Sequence, residues 1–314
     1  MTPPALKLVF MGTPDFAVPS LLALHESPHR ILRVITQPDR PRGRGRKITL
    51  SPVKQAALRL GYDIAQPVSA RQDDFFSLAC DPAPDLFVVI AYGNLLPQRV
   101  LDTPPLGGIN IHASLLPRFR GAAPIQWAII NGDSESGVTT MQIAGAVDTG
   151  DILLTARTPI QPDDTAATLH DRLAGMGAEL IVRTLDRLAA GNIQAIPQDD
   201  RLATVAPRLT KADGRIDWHQ PAAVIERRVR GMTPWPGTFT FQNDRRLKII
   251  RAAAIDAISD APPGTVVKGF ADELRVATGD GVLAILELQG ASGKRLAAAD
   301  FLRGYPLAPG AVFT

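Results

Sequence analysis

Two polar side chains close a short apolar run, Gly108-Ile-Asn-Ile-His112, and their spacing is what chemistry would need. Alternate residues of a strand share a face, so Asn110 and His112 point one way while Ile111 points the other. An amide donor beside an imidazole suits the stabilisation of a developing oxyanion. Further along, the tight turn Asp148-Thr-Gly-Asp151 can return a carboxylate to the imidazole, assembling amide, acid/base and orienting anion in one stretch. Each residue has a plain alternative: Asn110 as a strand end, His112 as a satisfied core histidine, Asp148 as a turn residue. The wording of the whole stretch has to decide.

The elements around these groups follow from pattern. After His112 the chain turns through Ser114-Leu-Leu-Pro117 and Gly121-Ala-Ala-Pro124, and Pro124 suits the first turn of a helix running to about Ile130. Gly137 to Ile143 reads as a strand. Upstream, Leu6 to Phe10 is a buried strand ending at Gly12-Thr-Pro-Asp-Phe16, with a helix over Val18 to His25 and a further strand over Ile31 to Thr36. Strand, glycine turn and helix make the first unit of a parallel α/β sheet; the G-x-G-x-x-G fingerprint is missing, so no bound dinucleotide is expected. Helices are expected over Pro52 to Leu60 and Arg71 to Ala79. The continuous apolar run from Asp85 to Gly93 reads as a central strand covered on both faces. Functional groups in such sheets gather at the carboxyl ends of strands, which puts Ala91, Tyr92 and Gly93 beside Asn110 and His112. From Asp164 to Ala190, Leu169, Leu173, Met176, Leu180, Ile181, Leu185 and Leu188 recur at helical spacing, with Gly191 as the stop.

The boundaries expected are 1–191 for an α/β domain, 192–207 for a linker rich in Gln, Asp, Ala and Pro, and 208–314 for a second, smaller domain. In that last part about five short strands parted by turns (Thr238 to Gln242, Leu247 to Ala253, Thr265 to Val267, Leu274 to Thr278, Val282 to Leu288) suggest an OB-like β-barrel. Trp218 and Trp235 could stack on bases, but without a periodic aromatic display they are read as packing residues at the domain interface.

Composition limits the function class. With 45% hydrophobic residues a sizeable core can form, and Cys80 as the lone cysteine permits neither an intrachain disulfide nor a cysteine-based zinc site. The start lacks the pattern of a signal peptide and no run reaches the length of a membrane span, so a cytoplasmic protein without membrane attachment is expected. Residues 1–207 hold 19 Lys and Arg against 20 Asp and Glu, while 208–314 hold 15 against 11, a mild basicity that suits a polyanionic partner. A sharper signal is the 37–50 loop, where Arg40, Arg42, Arg44, Arg46 and Lys47 sit among glycines and prolines with only Asp39 opposing them. A solvated charged loop is the ordinary reading, yet arginine interleaved with glycine lets guanidinium and backbone both approach phosphates.

Taken together, Asn110-Ile-His112, Ser114-Leu-Leu-Pro117, Gly121-Ala-Ala-Pro-Ile125 and Asp148-Thr-Gly-Asp151 resemble the active-site signature of the formyltetrahydrofolate-dependent formyltransferases. The resemblance runs from about Leu8 to Phe301 and includes Gly12-Thr-Pro-Asp-Phe16, Ile216-Asp-Trp218 and Pro234-Trp-Pro236. It implies a Rossmann-like, mostly parallel sheet without a dinucleotide, followed by an OB-like barrel. It also implies 10-formyltetrahydrofolate as formyl donor, no metal, and Asn110, His112 and Asp148 as the catalytic set. Ala91, Tyr92 and Gly93 would contact the folate along with Ser114, Leu115, Leu116 and Pro117, although Tyr92 as core packing is an equal reading. The basic loop aligns with the one that the branch acting on charged initiator tRNA inserts at the acceptor stem. That gives methionyl initiator tRNA as partner, Arg40, Arg42, Arg44, Arg46 and Lys47 as its contacts, and a monomer as the expected state. One departure is visible: the family has Gly-Leu before the Asp-Thr-Gly-Asp turn, where this chain has Ala146-Val147 with Gly145 one place earlier. Rival readings are a glycinamide ribonucleotide or nucleotide-sugar formyltransferase, which leave the Arg-Gly loop unexplained, and an RNA-binding protein on a dead enzyme scaffold, which leaves the intact polar set unexplained.

Overall fold

The computed structural model describes residues 4–42, 47–267, 273–290 and 293–314. Its strands are β1 (Lys7–Gly12), β2 (Arg30–Ile35), β3 (Arg40–Arg42), β4 (Lys47–Thr49), β5 (Ile64–Ala65), β6 (Leu86–Ile90), β7 (Gly108–His112), β8 (Arg120–Gly121), β9 (Glu135–Gln142), β10 (Ile152–Pro159), β11 (Val205–Ala206), β12 (Thr238–Gln242), β13 (Arg245–Ile255), β14 (Leu274–Ala277), β15 (Val282–Gln289) and β16 (Arg295–Ala297). The helices are α1 (Val18–Glu26), α2 (Pro52–Arg59), α3 (Phe75–Cys80), α4 (Gln98–Leu101), α5 (Pro124–Asn131), α6 (Ala166–Ala189), α7 (Ala222–Gly231) and α8 (Ala298–Gly304).

Two compact units make up the chain. The first takes the described residues up to Gly121 together with Ser136–Thr158 and His170–Val205; the second takes Ala122–Glu135, Pro159–Leu169 and the described residues from Ala206 onward. Of residues 192–207, expected as a linker, 192–205 therefore pack with the α/β unit and 206–207 belong to the second. Residues 122–135 pack with the second unit because Ala123 and Ile130 share an apolar cluster with Leu209 and Met232, and Gly231 brings α7 close against Ile130.

The first unit is built on a seven-stranded sheet of order β10-β9-β7-β6-β1-β2-β5. β1 runs parallel to both β2 and β6, β2 to β5 and β6 to β7, while β9 joins β7 antiparallel. The apolar run Leu86–Ile90 is buried at every position, as expected of a strand covered on both faces. Val9, Met11, Ile35, Phe75, Phe87 and Val89 form the core on one side of the sheet. The helices begin where local chemistry lets them. In α2 the hydroxyl of Ser51 accepts from the Lys54 N–H at 3.0 Å with Pro52 in the first turn, and α5 opens on Pro124 and stops at left-handed Gly132. The helix expected from Arg71 begins only at Phe75, because Gln72 and Ser69 side chains accept the N–H groups of Val68 and Arg71 and hold that segment as a turn. In α6, Leu173, Leu180, Ile181 and Leu185 are buried along the predicted stripe. His170, read as surface from its place on the polar side, is partly exposed and lies 2.9 Å from the Asp171 carboxylate, with its ring edge-on to Phe16 at 5.3 Å.

The second unit carries a five-stranded sheet in which β13 lines one edge of β15, and β14 and then β16 follow one another along the other. All its strand pairs are antiparallel. Irregular register within β13 around Arg251 bends the strand, as bulges do in small curled sheets. Thr265 to Val267 contributes two isolated bridges instead of a strand, to Val312 and Val276, and β16 is a strand that pattern did not suggest. Trp218 was expected as a packing residue at a domain interface. It lies in the core of this unit against Phe313, with its indole N–H donated to the Thr240 hydroxyl at 3.0 Å, whereas Trp235 is half exposed.

Candidate active site

Register brings the polar pair to the carboxyl end of the central strands. Asn110 lies beside Val89 of β6 and opposite Met141 of β9, and His112 lies opposite Thr139. Ile111 faces away, toward Gly177 of α6, so the alternation read from the sequence holds. His112 is buried. Its Nε2 lies 2.8 Å from the carbonyl oxygen of Phe119, which can only accept, so Nε2 carries the proton and Nδ1 is the edge turned to Asp148. The Asp148 carboxylate approaches Nδ1 at 3.4 Å and accepts the Gly121 N–H at 2.9 Å through the same Oδ2.

Left-handed backbone conformation is what presents both partners. Phe119 has φ +59° and Asp148 φ +56°. Asp is one of the residue types that tolerates this region, because its short side chain bonds locally. Neither Gly145 nor Ala146 has positive φ, so the Ala146-Val147 departure leaves the turn intact: the residue that must be left-handed is Asp148 itself. Gly150 is required for a different reason. A Cβ there would be driven into the carbonyl oxygen of Gln142.

The Ser114–Pro117 block does internal work at two of its four positions. Ser114 is buried and donates its hydroxyl to the Arg118 carbonyl at 2.6 Å, while its own carbonyl accepts from the Thr139 hydroxyl at 2.7 Å. Leu116 is buried and gives its N–H to the same Thr139 oxygen at 3.3 Å. These bonds fold the turn that aims the Phe119 carbonyl at His112. Ser114 and Leu116, expected as folate contacts, thus also form the turn; Leu115 and Pro117 are partly exposed.

Ala91, Tyr92 and Gly93 line a cavity of about 310 Å³ together with Thr13, Gln37 and Arg40. Ala91 and Gly93 are exposed and left-handed, with φ +46° and +88°. Tyr92 is buried in the core cluster with Met11 and Phe75, and its carbonyl accepts from Thr13 at 3.0 Å, tying the Gly12-Thr-Pro-Asp block to the end of β6. Burial pushes its hydroxyl above the ordinary tyrosine range, with the Asn94 side chain acting in the opposite direction. The ring of this tyrosine is therefore core, and the residue also lines the cavity. A second cavity of about 350 Å³ lies by Arg33, Asp63 and Gln66; Asn110, His112 and Asp148 line neither of the two.

β3 and β4 form a hairpin that pairs Arg40 with Thr49 and Arg42 with Lys47. Arg44 and Arg46, and the side chains of Arg42 and Lys47, lie outside the described residues. Asp39, the acid in the loop, is engaged at the hairpin base: Lys54 contacts it at 2.6 Å and Gln66 at 2.9 Å, and both hold its carboxyl below the usual range. Arg40 is exposed and reaches Gln37 at 3.1 Å. Among the described residues no group of histidine, cysteine and carboxylate side chains is placed to hold a metal, and no helix is long and apolar enough to cross a membrane.

Sequence reasoning missed the Phe119 carbonyl, the Gly121 N–H, Thr139, Arg120 and Gln198. Two are backbone groups and carry no residue-type signal. The others bond across turns whose closure only the folded chain specifies.

Comparison with known proteins places these residues in a lineage. Residues 6–185 match the family model described as "Formyl transferase", and 208–306 match "Formyl transferase, C-terminal domain". Among relatives, a protein of Citrifermentans bemidjiense named methionyl-tRNA formyltransferase is 48% identical over 97% of this chain and 95% of its own. One of the same name from Pelobacter propionicus is 49% identical over 97% and 95%. Among solved structures, an N-formyltransferase from Helicobacter canadensis in complex with folinic acid and dTDP-3-aminofucose superimposes with TM-score 0.66 at 19% identity, covering 89% of this chain and 98% of that one. HypX from Aquifex aeolicus in complex with tetrahydrofolic acid gives TM-score 0.62 at 18% identity, covering 99% and 51%. At such identities the structures speak for the fold alone.

Proposed function

The chain belongs to the methionyl-tRNA formyltransferase family, and on that premise we propose that it moves the formyl group of 10-formyltetrahydrofolate to the α-amine of methionine esterified on initiator tRNA. The observation that carries the chemistry is His112, held through Nε2 by a backbone carbonyl and set with Nδ1 against Asp148, on the same strand face as Asn110. An α-amine has a pKa of about 8, so its neutral form is available at neutral pH and attacks the formyl carbon directly. The new C–N bond forms as the carbonyl oxygen becomes an oxyanion, and the adduct collapses by breaking the bond to N10. Asn110 donates to that oxygen. His112 can do so only from Nδ1, since Nε2 is committed, and only once Nδ1 has taken the amine proton; Asp148 is counter-ion to the charge the ring then gains. The amine proton passes through this pair or a water to the departing N10.

The cavity lined by Ala91, Tyr92 and Gly93 supports the folate assignment to that corner, and Ser114, Leu115, Leu116 and Pro117 supply the remaining folate contacts in this reading. Residues 1–191 serve as the catalytic domain and 208–314 as the tRNA-binding domain. The basic loop, through Arg40, Arg42, Arg44, Arg46 and Lys47, engages the acceptor stem, and the enzyme acts as a cytoplasmic monomer. Offering 10-formyltetrahydrofolate with charged initiator tRNA, charged elongator tRNA and glycinamide ribonucleotide in parallel tests the reading. Transfer to charged initiator tRNA above the other two is expected; preferential use of glycinamide ribonucleotide, or no turnover with any acceptor, overturns it.

A further inference from the structure

The stretch 192–207 has a linker's composition, yet four of its residues are bonded around the catalytic pair. Ile196 exchanges both backbone hydrogen bonds with Ile152, just past the Asp148 turn, at 2.8 and 2.9 Å. Thr204 accepts the Phe119 N–H on its hydroxyl and the Arg120 N–H on its carbonyl, each at 2.8 Å, next to the carbonyl that holds His112. Asp200 accepts from Arg120 at 2.7 Å. Between them, Gln198 donates its amide N–H groups to the carbonyls of Asp148 and Gly150 at 2.9 and 2.7 Å. Its Oε1 accepts from Nε and Nη2 of Arg120 at 3.0 and 2.8 Å.

That amide is fully used, with two donors on two carbonyls and one oxygen under a guanidinium. Its orientation is forced, since a flip would set NH2 against the arginine and oxygen against two carbonyls. The bonds also close a ring. Arg120 adjoins Gly121, whose N–H holds the Asp148 carboxylate, while Gln198 ties the Asp148 backbone to the Arg120 side chain. A left-handed Asp148 is thus fixed at its carbonyl and at its carboxylate by one connected set of groups.

We propose that Gln198 is a positioning residue for formyl transfer, locking the Asp148 turn through Arg120 so that the carboxylate stays on Nδ1 of His112. The inference rests on the formyl-transfer reading above. It locates inside the α/β unit a control point that composition alone assigns to a spacer.

Gln198→Glu is the informative change. It keeps size and the partnership with Arg120 but removes both donors and sets a negative oxygen against the carbonyls of Asp148 and Gly150. Expected is a fall in kcat of about 10- to 100-fold, the range of one or two positioning hydrogen bonds to a reacting constellation. KM for tRNA and for the formyl donor should stay within about threefold, and the acid limb of the pH–rate profile should move. The decisive readout is a cycle with Asp148→Asn. If Gln198 acts through Asp148, adding Gln198→Glu to the Asp148→Asn enzyme lowers kcat by less than about twofold. Effects that multiply in the double variant, or a kcat for Gln198→Glu within twofold of wild type, overturn the proposal. Should the glutamate variant fail to fold, Gln198→Asn, which withdraws the amide by one methylene without adding charge, enters the same cycle with the same criteria. Absence of formyl transfer in the wild-type protein would sink the functional reading instead, so the two failures are distinct.

Discussion

Replacing Asp148 by asparagine isolates the charge of the proposed catalytic pair, His112 and Asp148, from its shape. The amide oxygen can still accept the Gly121 N–H, and the turn keeps a residue type that tolerates positive φ. What disappears is a negative charge 3.4 Å from Nδ1 of His112, between side chains that are 7% and 11% exposed. With an effective dielectric of about 20, Coulomb's law gives roughly 5 kcal/mol for full charges at that distance. If relaxation of the pocket halves this, about 2.5 kcal/mol of transition-state stabilisation is lost, or nearly 10²-fold in rate; the full value corresponds to more than 10³-fold. Single-turnover formylation of methionyl-tRNA with saturating 10-formyltetrahydrofolate reads the chemical step. Filter binding of the tRNA and thermal unfolding run alongside. We expect a drop of 10²- to 10³-fold with tRNA affinity and melting temperature near wild type. A folded variant with unchanged tRNA affinity and a rate within about fivefold of wild type would refute the assignment of Asp148 as counter-ion to His112.

Three further outcomes follow from the same geometry. Gly150→Ala should displace the Asp148 turn from the Gln142 carbonyl, lowering turnover at least tenfold and stability by about 1–3 kcal/mol, the range for overpacking a tight site; urea unfolding and kcat check it. Simultaneous Arg42→Ala, Arg44→Ala and Arg46→Ala should raise KM for tRNA and reduce the slope of log affinity against log salt by about two to three, roughly one counterion for each phosphate no longer neutralised; a triple variant with wild-type salt dependence would make the loop ordinary surface. Burial of His29 lowers its pKa from 6.5, against an opposing pull from Asp186. The folded state therefore binds fewer protons than the unfolded chain, so this histidine contributes stability that is complete above about pH 6.5 and is lost as pH falls through the lowered value. His29→Asn retains an acceptor for the Leu6 N–H, which His29 takes on Nδ1 at 3.2 Å, and should shrink the difference in urea stability between pH 7.5 and pH 5.5; an unchanged difference refutes the linkage.

Sequence alone determined the parts of this protein that depend on residue type and short-range spacing. The apolar runs of β1, β2 and β6 and the leucine stripe of α6 read directly as buried strands and helix, because burial periodicity is local. Asn110 and His112 were legible as a pair, because a strand's period of two puts them on one face whatever the strand packs against. Asp148 was legible as their partner through its turn.

Tertiary structure decided everything carried by the backbone or by closure between distant segments. That Nε2 of His112 is occupied by a carbonyl, leaving Nδ1 turned to Asp148, depends on Phe119 adopting left-handed φ after a turn folded around Thr139. That the Ser114 hydroxyl bonds to the carbonyl four residues on was not legible either, since residue type does not say which acceptor a hydroxyl finds. The segment 192–207 looked like a spacer because it is rich in Gln, Asp, Ala and Pro. It is ordered by hydrogen bonds through Ile196, Gln198 and Thr204, and polar composition does not record where such bonds end.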